Sequence, residues 1–214
     1  MLTGELMTSA TITDRLVSLS RALIGRIRGG LAQVNVLVSM FFAGMNGSVV
    51  ADTATVGALV LPAMKKAGYP AAFSAAVTGV SSTIGGIIPP SIMMIVLANS
   101  TEISIAALFA AGIIPGVLIG VVIMIINHYF AIKYNFERSD EPFSIRRAGR
   151  ELYRSSFALL IPLVLVGSVM GGVASVVEAG AITAMVALLT GVFVYRTIKW
   201  KECTGAFRRA FRNS

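Results

Sequence analysis

The sequence predicts an all-α, polytopic membrane protein containing a re-entrant helical hairpin and a broken transmembrane helix. Three observations carry that expectation. Of 214 residues, 56% are hydrophobic and 13% are charged, against about 45–50% and about 25% in soluble domains; the mean hydropathy is +0.82. The apolar residues gather into six segments, 31–45, 49–64, 69–98, 103–132, 156–176 and 178–195. The basic residues stand only outside those segments: Arg15, Arg21, Arg26 and Arg28 before the first, Lys65 and Lys66 after the second, Lys133 through Arg154 after the fourth, and Arg196 through Arg212 after the last. A net charge of +8 would suit nucleic acid, but charge confined to the links between apolar segments is the pattern of a chain in a lipid bilayer. No nucleic-acid partner is expected. Cys203 is the single cysteine, so no disulfide or thiolate cluster forms within the chain.

Residues 1–30 open with MLTGELMTSATITDRL, which lacks a basic stretch followed by an apolar core and is not read as a signal peptide. Leu16, Leu19, Leu23 and Ile27 then recur at helical spacing with arginines between them. This is the pattern of an amphipathic helix lying along the membrane interface. Segments 31–45 and 49–64 are each shorter than the ~20 residues a spanning helix needs. The turn sequence Asn46-Gly47-Ser48 joins them. Together, 31–64 read as a hairpin that enters the membrane, turns, and leaves on the same side. Segment 69–98 crosses, 103–132 crosses back, 133–155 is a basic connector, 156–196 forms a two-helix hairpin, and 197–214 is a second amphipathic stretch. Gly112, Gly116 and Gly120 make a small-residue row suited to close helix packing.

Tracing these crossings places all 18 Lys and Arg on one face. The opposite connections, NSTEIS and GGVASVVEAG, carry only Glu102 and Glu178. The basic face is therefore expected to be cytoplasmic. Two full spans in place of the hairpin would leave this orientation unchanged, so re-entrance rests on segment length alone.

Segment 69–98 is interrupted by SSTIGGIIPPS, residues 81–91. Proline lacks an amide hydrogen, so Pro89 and Pro90 leave the carbonyls of Gly85 and Gly86 without their helical donors. The glycines ease unwinding. Ser81, Ser82 and Thr83 place hydroxyls nearby, and Pro89 and Pro90 suit the first turn of a new helix, PPSIMMIVLANS, whose amino end, at Ser91, favours an anion. Oxygen ligands for a small cation beside a helix end for a carboxylate are what a cation-coupled carrier needs. Ser81, Ser82, Thr83, Ser91 and Asp52 are the candidate substrate-binding residues. Asp52, just past the hairpin turn, is either functional, as intramembrane carboxylates often are, or a brace of the hairpin. His128 falls near the end of its segment and is given no catalytic role. No nucleophile–base pair, metal-ligand cluster or phosphate loop is apparent, so no enzyme activity and no organic cofactor are expected.

Four stretches, GELM, RGGLAQVNVLVSMFFAGMNGSVVADTATVGALVLPAMKKAGY, AAVTGVSSTIGGIIPPSIMMIV and EAGAITAMVALLTGVFVYR, resemble the large membrane subunit of TRAP (tripartite ATP-independent periplasmic) transporters. They cover nearly the whole chain in family order. The resemblance implies an elevator-type fold with inverted repeats in the bacterial inner membrane. It also implies coupling to sodium, a small membrane subunit, and a periplasmic substrate-binding protein that delivers organic acids such as C4-dicarboxylates or sialic acid. Carried over by motif, it assigns the sodium site to Asn46 and Ser48 at the hairpin turn and to Gly85, Ile88 and Pro90 at the break, the last three through main-chain oxygens. Two positions depart from the common pattern: Asn46 stands where the family more often has serine, and Gly86 where it often has proline. The family subunit is about twice this long, so the chain is read as a fragment holding about one repeat and half of a binding site.

A membrane scaffold without transport is the alternative reading. It predicts intact helices, against which the Gly and Pro pairs argue. An intramembrane enzyme would need convergent acids or nucleophiles, and a channel would need rings of charge or a filter repeat.

Overall fold

The computed structural model describes residues 12–25, 27–136 and 144–191, with the side chains of Ile12, Thr13 and Asn46 left aside. The GELM stretch and the expected amphipathic tail, 197–214, lie outside the described residues. Those described form helices and no strand: α1 (Ile12–Ile24), α2 (Gly30–Asn46), α3 (Val49–Lys66), α4 (Ala71–Ser82), a 3-10 turn (Thr83–Gly86), α5 (Ile92–Thr101), α6 (Ile105–Lys133), α7 (Ile145–Met170) and α8 (Val176–Leu189). Serine sets five of the starts. Ser48, Ser91, Ser104, Ser144 and Ser175 each accept the amide of the third helical residue, satisfying one of the amides a helix start leaves free. At α8 the bond is reciprocal, since Glu178 Oε2 accepts the Ser175 amide at 2.8 Å.

Helix α2 is the hub. Ala32, Val34, Val36, Val38, Phe42, Ala43 and Met45 are buried together with Gln33, Asn35 and Ser39, so nearly its whole circumference is covered, as a central helix requires. It packs against α1, α3, α4, α6, α7 and the 3-10 turn. Gly29, at φ 73°, turns the chain into α2, and a Cβ there would stand 2.6 Å from Ala131 Cβ near the end of α6. The link after α3 reaches the same end, where the Tyr69 ring lies 4.6 Å from that of Phe136. The start of α2, the end of α3, the start of α4 and the end of α6 therefore share one face. An aromatic cluster of Tyr69, Phe73, Phe130 and Phe136 marks it, beside Lys65, Lys66 and Lys133.

Among the described residues, two helices are long and apolar enough to cross a bilayer, α6 with 29 residues and α7 with 26. Helix α6 turns Phe109, Gly112, Gly116, Gly120 and Ile123 inward. It leaves Ile114 76% exposed, along with Leu118, Ile125 and Ile126. A continuous apolar face of this length is unlike the core helix of a soluble protein and suits lipid or a further protein surface.

Several boundaries differ from those read in the sequence. Helix α1 stops at Ile24 because glycines 25, 29 and 30 follow, so Leu23 and Ile27 are exposed and Leu16 and Leu19 carry the buried stripe. The helix placed over 156–176 begins at Ile145, because Ser144 caps it and the arginines occupy its exposed side. The segment 69–98 is two short helices, α4 of 12 residues and α5 of 10, at ~18 Å and ~15 Å each.

Candidate functional site

The link between α2 and α3 is two residues long. Gly47 ends α2 in the left-handed region, φ 61°, with its amide bonded to the Ala43 carbonyl. Ser48 is extended and starts α3. This tip is pressed onto the break between α4 and α5. The Ile92 amide donates to the Gly47 carbonyl at 3.2 Å. A Cβ on Gly47 would overlap the Pro90 carbonyl oxygen, and a Cβ on Gly85 would lie 3.8 Å from the Ser48 carbonyl. Ser48, Gly85 and Pro90 are thus brought together, with the Ser48 and Pro90 carbonyl oxygens at the contact. Asn46 lies in the last turn of α2, at the edge of this apposition.

The break itself is more fully bonded than the sequence suggests. The Ile87 and Ile88 amides both donate to the Ile84 carbonyl at 2.9 Å. The Gly86 carbonyl, expected to lack a donor, accepts the Ser91 hydroxyl at 2.7 Å. Ser91 also caps α5 through the Met94 amide, so the new helix begins at Ile92 and the cis Pro89–Pro90 pair lies ahead of it. That correction has a simple cause: a serine cap two residues on competes successfully with proline as the first helical residue. Ile88 directs its side chain at α6, where a Cβ on Gly116 would stand 2.5 Å from Ile88 Cγ1. Gly112 likewise meets the Ile87 carbonyl and Met94, and Gly120 meets Met40. The glycine row therefore seats α6 directly on the break.

Behind the tip lies a buried polar stripe. Asn35 Nδ2 donates to Thr78 Oγ1 at 2.7 Å, Ser81 Oγ to Asn35 Oδ1 at 3.2 Å, Ser39 Oγ to Ser81 Oγ at 3.3 Å, and Ser82 Oγ to the Thr78 carbonyl at 2.8 Å. Asp52 is 1% exposed, with its amide bonded to the Ser48 carbonyl. Its carboxylate faces the hydroxyls of Ser82 and Ser39, although neither contact has the geometry of a full hydrogen bond. Of the candidate substrate residues, Ser81, Ser82 and Asp52 gather here, whereas Ser91 sits at the start of α5. Thr83 is separate: exposed, with its hydroxyl bonded to the Val80 carbonyl. Asn35 and Ser39 escaped the sequence reading although the signal was present. They lie four apart in an otherwise apolar segment, which puts both on one helix face. Among the described residues no three His, Cys, Asp or Glu side chains group to hold a metal ion, so a cation here would rely on hydroxyl, carbonyl and single-carboxylate oxygens.

The tip is thus seated on an unwound stretch of helix, and comparison with known proteins gives the family. The profile of the family described as tripartite ATP-independent periplasmic transporter, DctM component, matches residues 1–214, and the chain belongs to that family. It is 35% identical over 203 residues to the C4-dicarboxylate TRAP transporter large permease protein DctM of Pseudomonas aeruginosa, covering 95% of this chain and 47% of that one. It is 37% identical over 202 residues to the sialic acid TRAP transporter permease protein SiaT of Haemophilus influenzae, covering 94% and 32%. It is 36% identical over 210 residues to the 2,3-diketo-L-gulonate TRAP transporter large permease protein YiaN of Escherichia coli, covering 96% and 49%. The chain spans half the length of these curated relatives or less.

Proposed function

We propose that this chain supplies one half of the transport site of a sodium-coupled carrier for a small organic acid. The acid is of the dicarboxylate, sialic acid or sugar-acid kind named for its relatives. The observation that carries the reading is the tip-to-break apposition of Ser48, Gly85 and Pro90. Sodium is a hard cation and suits the oxygens gathered there. The adjacent Asp52 carboxylate, buried beside the Ser39 and Ser82 hydroxyls, adds the fixed negative charge that a cation at this depth needs. A carboxylate so enclosed repels an anionic substrate, so Asp52 acts toward the cation, and the acid binds on the open side of the tip. Asn46 and Ile88 flank the ion, Ile88 through its main chain.

The hairpin is re-entrant in this reading. Its two ends share the face of Lys66 and Lys133, and its tip meets the chain where α5, ~15 Å long, still separates it from the opposite face. That depth is about half the ~30 Å hydrocarbon core. The basic face is cytoplasmic in a bacterial inner membrane, consistent with the aromatic cluster at that level. The hairpin and broken helix move together as an elevator, alongside a small membrane subunit, and receive substrate from a periplasmic binding protein.

The test is sodium-driven uptake of radiolabelled C4-dicarboxylate and sialic acid by a full-length permease carrying this segment, with its small subunit and binding protein present. Ser48→Ala is expected to raise the sodium concentration for half-maximal uptake by about tenfold, the equivalent of ~1.4 kcal/mol. Unchanged sodium dependence would remove Ser48 from the site. For orientation, cysteines placed at Ser100 or Ser175 in a Cys203→Ser background should react with an impermeant maleimide from the periplasmic side. Cysteines at Lys66 or Arg147 should not, and the reverse pattern would invert the topology.

A further inference from the structure

Helices α1 and α7 are joined at the Ser155 hydroxyl, which donates to the Arg15 carbonyl at 3.4 Å. Beside that joint is a cleft of about 460 Å³. Its walls are two helical stripes. Asp14, Ser18 and Arg21 lie at i, i+4 and i+7 on α1; Arg147, Glu151 and Arg154 lie at the same spacing on α7, and Arg15 completes the lining. Among the described residues, four arginines thus share the cleft with two carboxylates. Glu151 Oε1 lies 3.5 Å from Arg154 Nη1 and helps to fix that guanidinium. The opposite side of α1 is apolar and buried through Leu16 and Leu19. The cleft is therefore the polar side of an amphipathic helix, closed into a basket by a second one.

We infer that this cleft binds the phosphodiester headgroup of an anionic phospholipid. Guanidinium forks match pairs of phosphate oxygens. The choice of a lipid over a free phosphate rests on what adjoins the cleft. One turn beyond Arg154, α7 becomes apolar, and Phe157, Leu160 and Leu163 are all exposed. A headgroup held by the arginines leaves its acyl chains against that surface, while a free anion makes no use of it. Basic pockets at the interfacial ends of helices are a recurring headgroup geometry. Occupation would clamp α1 to α7, fixing the interfacial helix relative to a membrane-crossing one. The inference uses the membrane assignment only and is independent of the sodium and substrate readings.

The experiment uses the full chain purified in mild detergent. It measures retention of phosphatidylglycerol against phosphatidylcholine by native mass spectrometry, and thermal stability with each lipid added. Phosphatidylglycerol is expected to be retained preferentially and to raise the melting temperature. Arg21→Gln with Arg147→Gln should lower that retention by roughly fivefold per arginine, with the melting temperature in phosphatidylcholine unchanged. Lys65→Gln with Lys66→Gln removes the same charge elsewhere and should leave the preference intact. An equal loss in the lysine pair would mean general attraction of an anionic lipid to a basic surface, and would overturn the site. Stabilisation by inorganic phosphate alone, to the extent seen with phosphatidylglycerol, would overturn the lipid as its occupant. Should the glutamine pair fail to fold, Arg21→Lys with Arg147→Lys keeps the charge and removes the forks, and must still lower retention.

Discussion

Gly47→Ala is expected to abolish sodium-dependent stabilisation while leaving the helices in place. Two effects act at once. Gly47 has φ 61°, and an L-residue held in the left-handed region costs ~1–2 kcal/mol. The new Cβ also overlaps the Pro90 carbonyl oxygen and stands 3.2 Å from Ser91 Cα. These are backbone atoms of the break and cannot rotate aside. The tip must lift, which breaks the Ile92–Gly47 hydrogen bond and separates Ser48 from Gly85. The measurement is the melting temperature in NaCl against choline chloride. Saturation of a site at about 100 times Kd contributes ~2.7 kcal/mol, or roughly 5–10 °C for a chain of this size. That increment should vanish in the alanine variant, whereas helical circular dichroism should hardly change. A variant that keeps the full sodium increment would show that tip and break do not form the ion site.

Asp52→Asn should produce a crossed result. In choline chloride the variant is expected to melt higher than the parent, because a buried carboxylate faced by two hydroxyls and, among the described residues, by no positive partner is costly, and the amide removes the charge at nearly constant shape. In NaCl the order should reverse, since the carboxylate is then compensated by the cation and the amide contributes little. A gain of ~1–3 kcal/mol without sodium corresponds to several degrees. The crossing separates the two roles open to Asp52 on sequence alone. A brace would lose stability in both salts and keep its sodium increment, and that outcome would remove Asp52 from ion coupling.

How much was legible in the sequence depends on the range of the interaction. The broken helix was visible because Gly85, Gly86, Pro89 and Pro90 act on their own backbone. The turn at Asn46-Gly47-Ser48 was visible for the same reason, although Asn46 proves to be the last residue of α2. What was missed depends on neighbours distant in sequence. Ser91 is an exception, since it bonds the Gly86 carbonyl from five residues away, and periodicity does not report a side-chain bond of that kind. The stripe of Asn35, Ser39, Thr78 and Ser81 joins residues some 40 positions apart, and only their shared helical spacing hinted at it. The glycine row of α6 was rightly taken as a packing device, but its partner, the break itself, was not evident from spacing.

The burial of α2 bears on how the protein is made. This helix carries Gln33, Asn35 and Ser39 inside its packing, and Gln33 Nε2 finds its acceptor at the Met124 carbonyl, 91 residues later. At synthesis rates of ~5–20 residues per second, α2 leaves the ribosome roughly 5–20 s before α6 can cover it. The partners of Asn35 and Ser39 on α4 follow about halfway through that interval, Gln33 has none until its end, and α2 is short for a stable solitary span. The nascent hairpin must therefore wait at the protein-conducting channel or in the care of an insertase. Polar substitutions on α2 will then act first on yield, by lengthening or shortening that wait, and only afterwards on the folded protein.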